Sequence, residues 1–286
     1  MRIAVSGAGG FIGRHVLAEL AKRENTPIAL VRGDDAGDFP GSPECYKVDI
    51  AKSGTVTPAE IGDPDALIHL AWGGLPNYRS NHHFEIELPA QHQFLSGLIK
   101  GGLKNLVCAG TCFEYGMQYG PLSEDMPTRP ENSYGFAKDT LRQQLEYLRM
   151  QTPYNLAWAR LFFLYGAGQA ANSLFPQLHR AVTEGRDVFD MSGGEQLRDY
   201  LPVETVAQNI VDLAISNPDC GPINICSGEP ISIRRLVETW CLENGWSIDL
   251  NLGYYPYPDY EPMAFWGSSN KMEQVGLKAR NCAKHI

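Results

Sequence analysis

Tyr134 and Lys138 stand four residues apart in Tyr-Gly-Phe-Ala-Lys. On a helix that spacing puts both side chains on one face. A phenol is ordinarily a weak acid with a pKa of about 10. A neighbouring ammonium favours its phenolate, so the pair is able to move a proton on and off an oxygen. Thr111 closes the segment Val107-Cys-Ala-Gly-Thr. Its hydroxyl is suited to hold the same reacting oxygen. The ordinary alternatives are a solvated helix face for Tyr134 and Lys138, and a turn cap for Thr111.

A second constellation gives the first its context. Gly7-Ala-Gly-Gly10-Phe11-Ile12-Gly13 follows an apolar stretch and opens a segment with helical spacing. Gly7 permits a tight turn, Gly10 clears the path of a diphosphate, and Gly13 lets the helix pack closely on a sheet. The helix N-terminus adds unpaired N–H groups and a favourable dipole. A dinucleotide is therefore the expected cofactor. Its oxidised nicotinamide would also favour the Tyr134 phenolate. In reduction Tyr134 would protonate a carbonyl oxygen as hydride reaches the carbon, while Lys138 also holds the nicotinamide ribose. After the second strand comes Arg32, where an acidic residue would accept from the ribose 2′-hydroxyl. Arginine suits a 2′-phosphate better, so NADP(H) is expected, with NAD(H) the alternative. Asp34 and Asp35 lie close enough to complicate that reading. Asp49 is expected to accept from the adenine amino group, or to cap its loop, and Ile50 to pack on the ring.

The elements that position these residues follow from periodicity. Strands are predicted at Arg2–Ser6, Pro27–Val31, Ala66–Ala71, Leu103–Ala109 and Asn155–Phe163. Helices follow Gly13, span Phe84–Lys100 with a bend at Pro89, and span Tyr134–Met150 with Ala137, Leu141, Leu145 and Leu148 as its stripe. This alternation predicts an α/β chain with a Rossmann-type, doubly wound parallel sheet covered on both faces. Residues 1–165 form mainly the NAD(P)-binding domain. Residues 166–286 form a smaller, interleaved substrate domain, some segments of which return to the first. Within it Val203–Ile215 and Ile233–Glu243 read as helices and Pro222–Ser227 as a strand. Tyr254–Pro262 is expected to be a rigid aromatic loop, packed as a lid or pocket wall.

Composition excludes some partners. The 286 residues carry a formal charge of −9 and 43% hydrophobic residues, with a pI near 5.3. Such a chain is not expected to bind nucleic acid or an anionic membrane. No apolar run is long enough to span a bilayer, and the glycines near the N-terminus read as a strand and turn rather than a signal segment. Seven cysteines show no paired ligand spacing. Each is expected to be a small buried hydrophobe, no metal site is expected, and the cytoplasm is the expected location.

The ordered motifs GAGGFIG, HLAW near residue 69, GTCFEYG from Gly110 to Gly116, YGFAK, RLFFLYGAGQ from Arg160 to Gln169, RDYLPV from Arg198 to Val203 and NICSG from Asn224 to Gly228 cover nearly the whole chain. Together they resemble the extended short-chain dehydrogenase/reductases of the nucleotide-sugar epimerase/dehydratase group. The resemblance implies that Thr111, Tyr134 and Lys138 are catalytic and that Gly7, Gly10 and Gly13 bind the diphosphate. Leu70 and Ala71 join the implied cofactor contacts, with Phe11 and Ile12. Arg198 is implied to meet the substrate diphosphate, with a structural ion pair to Asp199 or another acid as the alternative. Asn172 to Pro176 resembles the segment that lines the nucleotide and sugar site. A homodimer built on the helices at Phe84–Lys100 and Tyr134–Met150 is also implied.

Departures narrow the reaction. Dehydratases of this group usually carry Asp-Glu after the catalytic threonine. Here Cys112 and Phe113 stand there, and neither is a general acid. Phe163 replaces a common asparagine, Glu87 stands where another asparagine is usual, and no late arginine is found around Tyr260–Phe265. The expected function is NADPH-dependent reduction at C4 of a nucleotide-linked 4-keto-6-deoxyhexose, with a dTDP sugar preferred. An NAD-dependent 4-epimerase is the runner-up. A cofactor-binding regulatory protein without turnover is the alternative of another class.

Overall fold

A computed structural model describes residues 1–33, 38–259, 261–277 and 279. The N-terminal part runs β1 (Arg2–Ser6), α1 (Phe11–Leu20), β2 (Thr26–Val31), β3 (Glu44–Lys47), β4 (Ala66–His69), α2 (Leu88–Lys100), β5 (Asn105–Thr111), β6 (Gly120–Leu122), α3 (Ser133–Gln151) and β7 (Asn155–Leu161). Then follow β8 (Phe163–Tyr165), α4 (Leu174–Thr183), β9 (Val188–Asp190), β10 (Leu197–Arg198), β11 (Tyr200–Pro202), α5 (Val203–Ser216), β12 (Gly221–Ile225), β13 (Ile231–Ser232), α6 (Ile233–Asn244), β14 (Asp249–Asn251), β15 (Phe265–Gly267) and α7 (Asn270–Gln274).

Seven strands form the central sheet in the order β12-β7-β5-β4-β1-β2-β3, and every pairing in it is parallel. Its inner strands bury both faces, so they read as apolar runs rather than alternations. Ile3 and Val5 pack with Val16, Leu17 and Leu20 of α1 and Ile210 of α5. Ala4 points the other way, toward Phe94 and Leu98 of α2 and Leu141 and Leu145 of α3. The remaining apolar cluster gathers Leu178, Phe189, Leu236 and Trp240, with Phe175 and Trp246 against them. The predicted doubly wound architecture is thus the observed one. The strand at residues 222–225 belongs to the central sheet, beside β7, although it follows the change of rhythm near Gly166.

Three local expectations need correction. Pro89 does not bend a helix in its middle. It sits in the first turn of α2, directly after a π-helical turn at His83–Glu87 whose helical backbone runs into it, so the change of winding just before the proline takes up its missing N–H. Tyr254, Tyr255 and Tyr257 are exposed rather than packed, tied down by Tyr257 to Glu195 and by Asp259 to Arg79 at 2.6 Å; Tyr260 lies outside the described residues. The described cysteines are mixed: Cys108, Cys112 and Cys226 are buried, Cys220 and Cys241 half-buried, and Cys45 exposed; Cys282 lies outside the described residues. Among the described residues no helix is long and apolar enough to cross a membrane, and no group of three His, Cys, Asp or Glu side chains is placed to hold a metal.

His69, the last residue of β4, is wholly buried, with Nδ1 2.8 Å from the Ser6 hydroxyl. Burial, and then the Lys138 charge, push its pKa down from 6.5 to about 3. The fold refuses a proton that the unfolded chain accepts between those values. The stability held by neutral His69 is therefore complete above the ordinary value and falls as the pH drops through this window, by about 1.4 kcal/mol per pH unit. Urea unfolding of a His69→Gln variant should show a shallower loss of stability from pH 6.5 downward; an unchanged slope would contradict this account.

Candidate active site

The candidate site lies at the carboxyl edge of the parallel strands. Strand order reverses between β1 and β4, and ligand crevices in doubly wound sheets open at such a point. Gly7 follows β1 with φ +72°, in the left-handed region that glycine adopts without strain. A Cβ there would lie 2.8 Å from the Ala71 nitrogen, and a Cβ at Gly13 only 2.2 Å from the Gly7 carbonyl. No side chain caps α1 and no acidic residue stands in its first turn, which leaves that turn's N–H groups to an anionic ligand. Phe11 and Ile12 form this turn and are half-buried. Leu70 N–H donates to the Ser6 carbonyl and hydroxyl, both at 3.2 Å, which fixes the second wall of the crevice. This cradle fits a dinucleotide diphosphate.

Farther along the same edge, Arg32 is exposed just beyond β2 and Asp49 and Ile50 follow β3, both half-buried. Asp49 lies 3.4 Å from the Lys52 ammonium, and Ile50 packs against the core beneath α2. Asp34 and Asp35 lie outside the described residues.

Thr111 ends β5, and the chain turns there into a 3₁₀ helix at Cys112–Tyr115. Asn132 caps α3 by accepting from Gly135 N–H at 2.8 Å, so Tyr134 enters the crevice from the first turn and Lys138 from the second. The structure brings the three predicted residues together. The Thr111 side chain lies near enough to the Tyr134 phenol to oppose the rise in its pKa. Lys138 Nζ donates to the Ala109 carbonyl at 2.9 Å and lies 6.0 Å from the Tyr134 ring centre. Burial raises the Tyr134 pKa well above its ordinary value, with Tyr78, Glu114 and Cys112 adding to it. Burial also lowers that of Lys138, against the attraction of Cys108, Glu114 and Glu87. Burial therefore outweighs the lysine's expected pull toward phenolate. Tyr134 stands as a phenol, the form that donates a proton.

Around the phenol stands an aromatic wall. Tyr78 lies 5.6 Å from Tyr134 and 4.9 Å from Phe113, centre to centre. Cys112 is buried, and its pKa is raised by that burial. The two positions after Thr111 therefore present a protonated thiol and a hydrocarbon ring, with no acid/base group between them.

Glu114, Trp72 and His83, which sequence reasoning did not single out, and Glu87, which it did, surround the site. Glu114 is fully buried. It accepts from Thr111 N–H at 2.8 Å, Trp158 Nε1 at 2.9 Å and Arg160 Nε at 2.7 Å. A Thr-x-x-Glu capping box was the available signal; its distant partners left none. Trp72 and His83 pack against Tyr134 at 5.9 and 5.3 Å. Glu87 accepts from Gln91 at 2.8 Å and meets His82 at 3.2 Å.

Two implied substrate contacts lie elsewhere. Arg198 is buried and held by Glu261 at 2.8 Å, with Nη1 donating to the Leu197 and Met263 carbonyls. Its partner is an acid other than Asp199, which instead accepts from Ser227, Gly228 and Gly267 N–H at 2.6, 3.0 and 3.3 Å. The guanidinium is thus engaged in the ion pair set against the diphosphate role. Phe163, in place of the common asparagine, stacks on Tyr200 at 5.3 Å. Asn172 is exposed, just before α4, and its carbonyl accepts from Gln177.

Comparison with known proteins agrees with this geometry. The model of the NAD dependent epimerase/dehydratase family matches residues 3–226. The dTDP-6-deoxy-L-talose 4-dehydrogenase (NAD(+)) of Aggregatibacter actinomycetemcomitans is 33% identical over 271 residues, covering 94% of this chain and 100% of that protein. The dTDP-4-dehydro-6-deoxyglucose reductase of Escherichia coli is 24% identical, covering 83% and 80%. Among solved structures, MoeE5 in complex with UDP-glucose and NAD superposes with a TM-score of 0.82 at 25% identity, covering 99% and 95%.

Replacing Glu114 by glutamine would strand the Arg160 charge in the interior. We expect urea unfolding of Glu114→Gln to show a loss of about 3–5 kcal/mol. Adding Arg160→Met should recover part of it, because the stranded charge is then gone. A loss below 1 kcal/mol, the scale of an exposed pair, would refute the buried-pair account.

Proposed function

The chain belongs to the NAD-dependent epimerase/dehydratase family, and from that membership we propose that it is an oxidoreductase acting at C4 of a nucleotide-linked 6-deoxyhexose. The working direction proposed is reduction of the 4-keto sugar. The observation that carries this reading is the Thr111–Tyr134–Lys138 cluster beside a position that offers no second acid. A bound nicotinamide cofactor would supply the hydride. Tyr134, held as a phenol, gives its proton to O4. Thr111 orients that oxygen through its hydroxyl. Lys138 holds the nicotinamide ribose and supplies positive charge next to the phenolate left behind.

The phenol and the apolar pair Cys112 and Phe113 support simple hydride exchange over loss of water. The similar dTDP-6-deoxy-L-talose enzyme is named for oxidation at the same carbon, and oxidation and reduction there are one reaction read in two directions. That name and the one ending in reductase support a dTDP-linked substrate. Arg32 supports NADP(H), whereas the NAD(+) in the first name supports NAD(H). A 4-epimerase would use the same three residues and return the hydride to the opposite face. Asn172 and Arg198 remain proposed as sugar-nucleotide contacts, Arg198 only by leaving Glu261. The reduced thiols of the interior fit a cytoplasmic location.

The test follows nicotinamide fluorescence with a panel of nucleotide-linked 4-ketohexoses, comparing NADPH and NADH. Stoichiometric loss of one coenzyme with one sugar supports reduction, and Tyr134→Phe should then lower kcat by about 10²–10⁴-fold while cofactor binding persists. Unchanged coenzyme with conversion of a non-keto sugar to its C4 epimer would replace this reading by the runner-up. An unaltered rate in Tyr134→Phe would remove Tyr134 as the acid.

We also propose a homodimer built on α2 and α3. Phe136, Tyr147 and Met150 are exposed and share one face of α3 by their spacing. Ile86 is exposed on the turn that leads into α2. Light scattering should return twice the 31.6 kDa chain mass; a particle of single-chain mass across assay concentrations would exclude the dimer.

A further inference from the structure

Lys138 is 1% exposed. An ammonium carries three donors and, once out of water, needs partners for its charge. One is the Ala109 carbonyl at 2.9 Å. A second is the indole of Trp72, whose ring centre lies 4.0 Å from Nζ. Indole presents the most electron-rich face of the aromatic side chains, and the attraction grows as water is excluded.

Trp72 is held in turn. Its Nε1 donates to His83 Nδ1 at 3.1 Å, and His83 Nε2 lies 2.8 Å from the Asn77 carbonyl. An indole N–H only donates, so Nδ1 must accept. A carbonyl only accepts, so Nε2 must carry the hydrogen. One tautomer of neutral His83 satisfies both contacts. His83 is fully buried, its ring centre 6.4 Å from the indole and its plane 29° from it. The indole edge also meets the Tyr134 ring at 5.9 Å. One side chain thus touches the lysine's charge and the tyrosine's ring, and a hydrogen-bonded chain through residues 72, 83 and 77 sets its angle.

We propose that Trp72, locked by His83, is a positioning residue that holds the Lys138 ammonium beside Tyr134. It acts through the lysine. Leucine at position 72 would fill part of the space and offer no negative face, whereas phenylalanine would keep a weaker face without the N–H. Only the kinetic consequence rests on the reading of the function given above.

The test titrates Lys138 directly, in the full chain without added cofactor. Lysine is labelled with ¹³C at Cε, and the Lys138 signal is assigned by its loss in Lys138→Met. In Trp72→Leu the ammonium-to-amine ratio of Lys138 at a given pH should fall roughly tenfold, and in Trp72→Phe by about threefold. His83→Leu, which frees the indole, should fall between wild type and Trp72→Leu. With the nucleotide sugar that wild type accepts, the fall of kcat with rising pH should begin about one pH unit lower in Trp72→Leu and be reversed as the pH is lowered, with KM for the sugar unchanged. A wild-type titration in folded Trp72→Leu, or in Trp72→Phe where the leucine variant does not fold, overturns the proposal. Absence of turnover in wild type would instead overturn the function reading, and the titration would still decide the role of Trp72.

Discussion

The catalytic end of the sheet hangs on a single carboxylate that water does not reach. Glu114 gathers the backbone of Thr111, the indole of Trp158 and the guanidinium of Arg160 within 2.9 Å. Burying a carboxylate is tolerable only when its charge is matched and its lone pairs are filled. Three donors from two neighbouring strands do that here. In doing so they fix where β5 stops and how the chain turns into the helix that follows. Gly110 shows how closely this is packed: a Cβ there would lie 2.2 Å from Trp158 Nε1. The Thr111 hydroxyl points where it does because its own N–H is committed to Glu114.

The same economy governs the reactive pair. Burial drives the phenol and the ammonium each toward neutrality. For the tyrosine that direction suits the role of proton donor proposed above, since such a group must hold its proton until it is needed. For the lysine it is a cost, offset by the Ala109 carbonyl and the Trp72 face. The aromatic residues around Tyr134 therefore exclude water and also supply part of the electrostatics. Phe113 comes from the 3₁₀ turn after β5, and Trp72, Tyr78 and His83 come from the loop and π-helical turn before α2, whose backbone is tied to α3. The Tyr134 N–H donating to the Tyr78 carbonyl at 3.0 Å is one such tie.

The C-terminal part contributes a different kind of constraint. Arg198 and Asp199 are adjacent and opposite in charge, yet they do not pair with each other. Neighbouring strand residues point to opposite sides, so Arg198 meets Glu261 between Phe163 and Phe265, while Asp199 gathers three backbone N–H groups from the ends of β12 and β15. These contacts tie Arg198 and Asp199 to Glu261 and to the chain just after β12 and within β15. β12 lies within the central sheet, although it comes late in the chain, through its parallel pairing with β7 and the burial of Ile223 and Ile225.

Much of this was written in local spacing. The glycines at 7, 10 and 13, the Tyr134 and Lys138 pair, the stripe through Leu141 and Leu145, and the alternation of strands with helices all depend on the pitch of one element or the tightness of one turn. Those are properties of neighbouring residues, so a reading along the chain finds them. Pro89 and the tyrosines at 254–257 mark the margin of that legibility: their residue types were informative, but the preceding turn and the packing decided what they did. The partners of Glu114, Arg198 and Trp72 lay beyond it. A sequence shows that a buried charge will need a partner, but not which of several acids, bases or rings will face it. That choice is made when distant strands and loops are packed, because charge and aromatic contacts act over a few ångströms in space and are indifferent to separation along the chain.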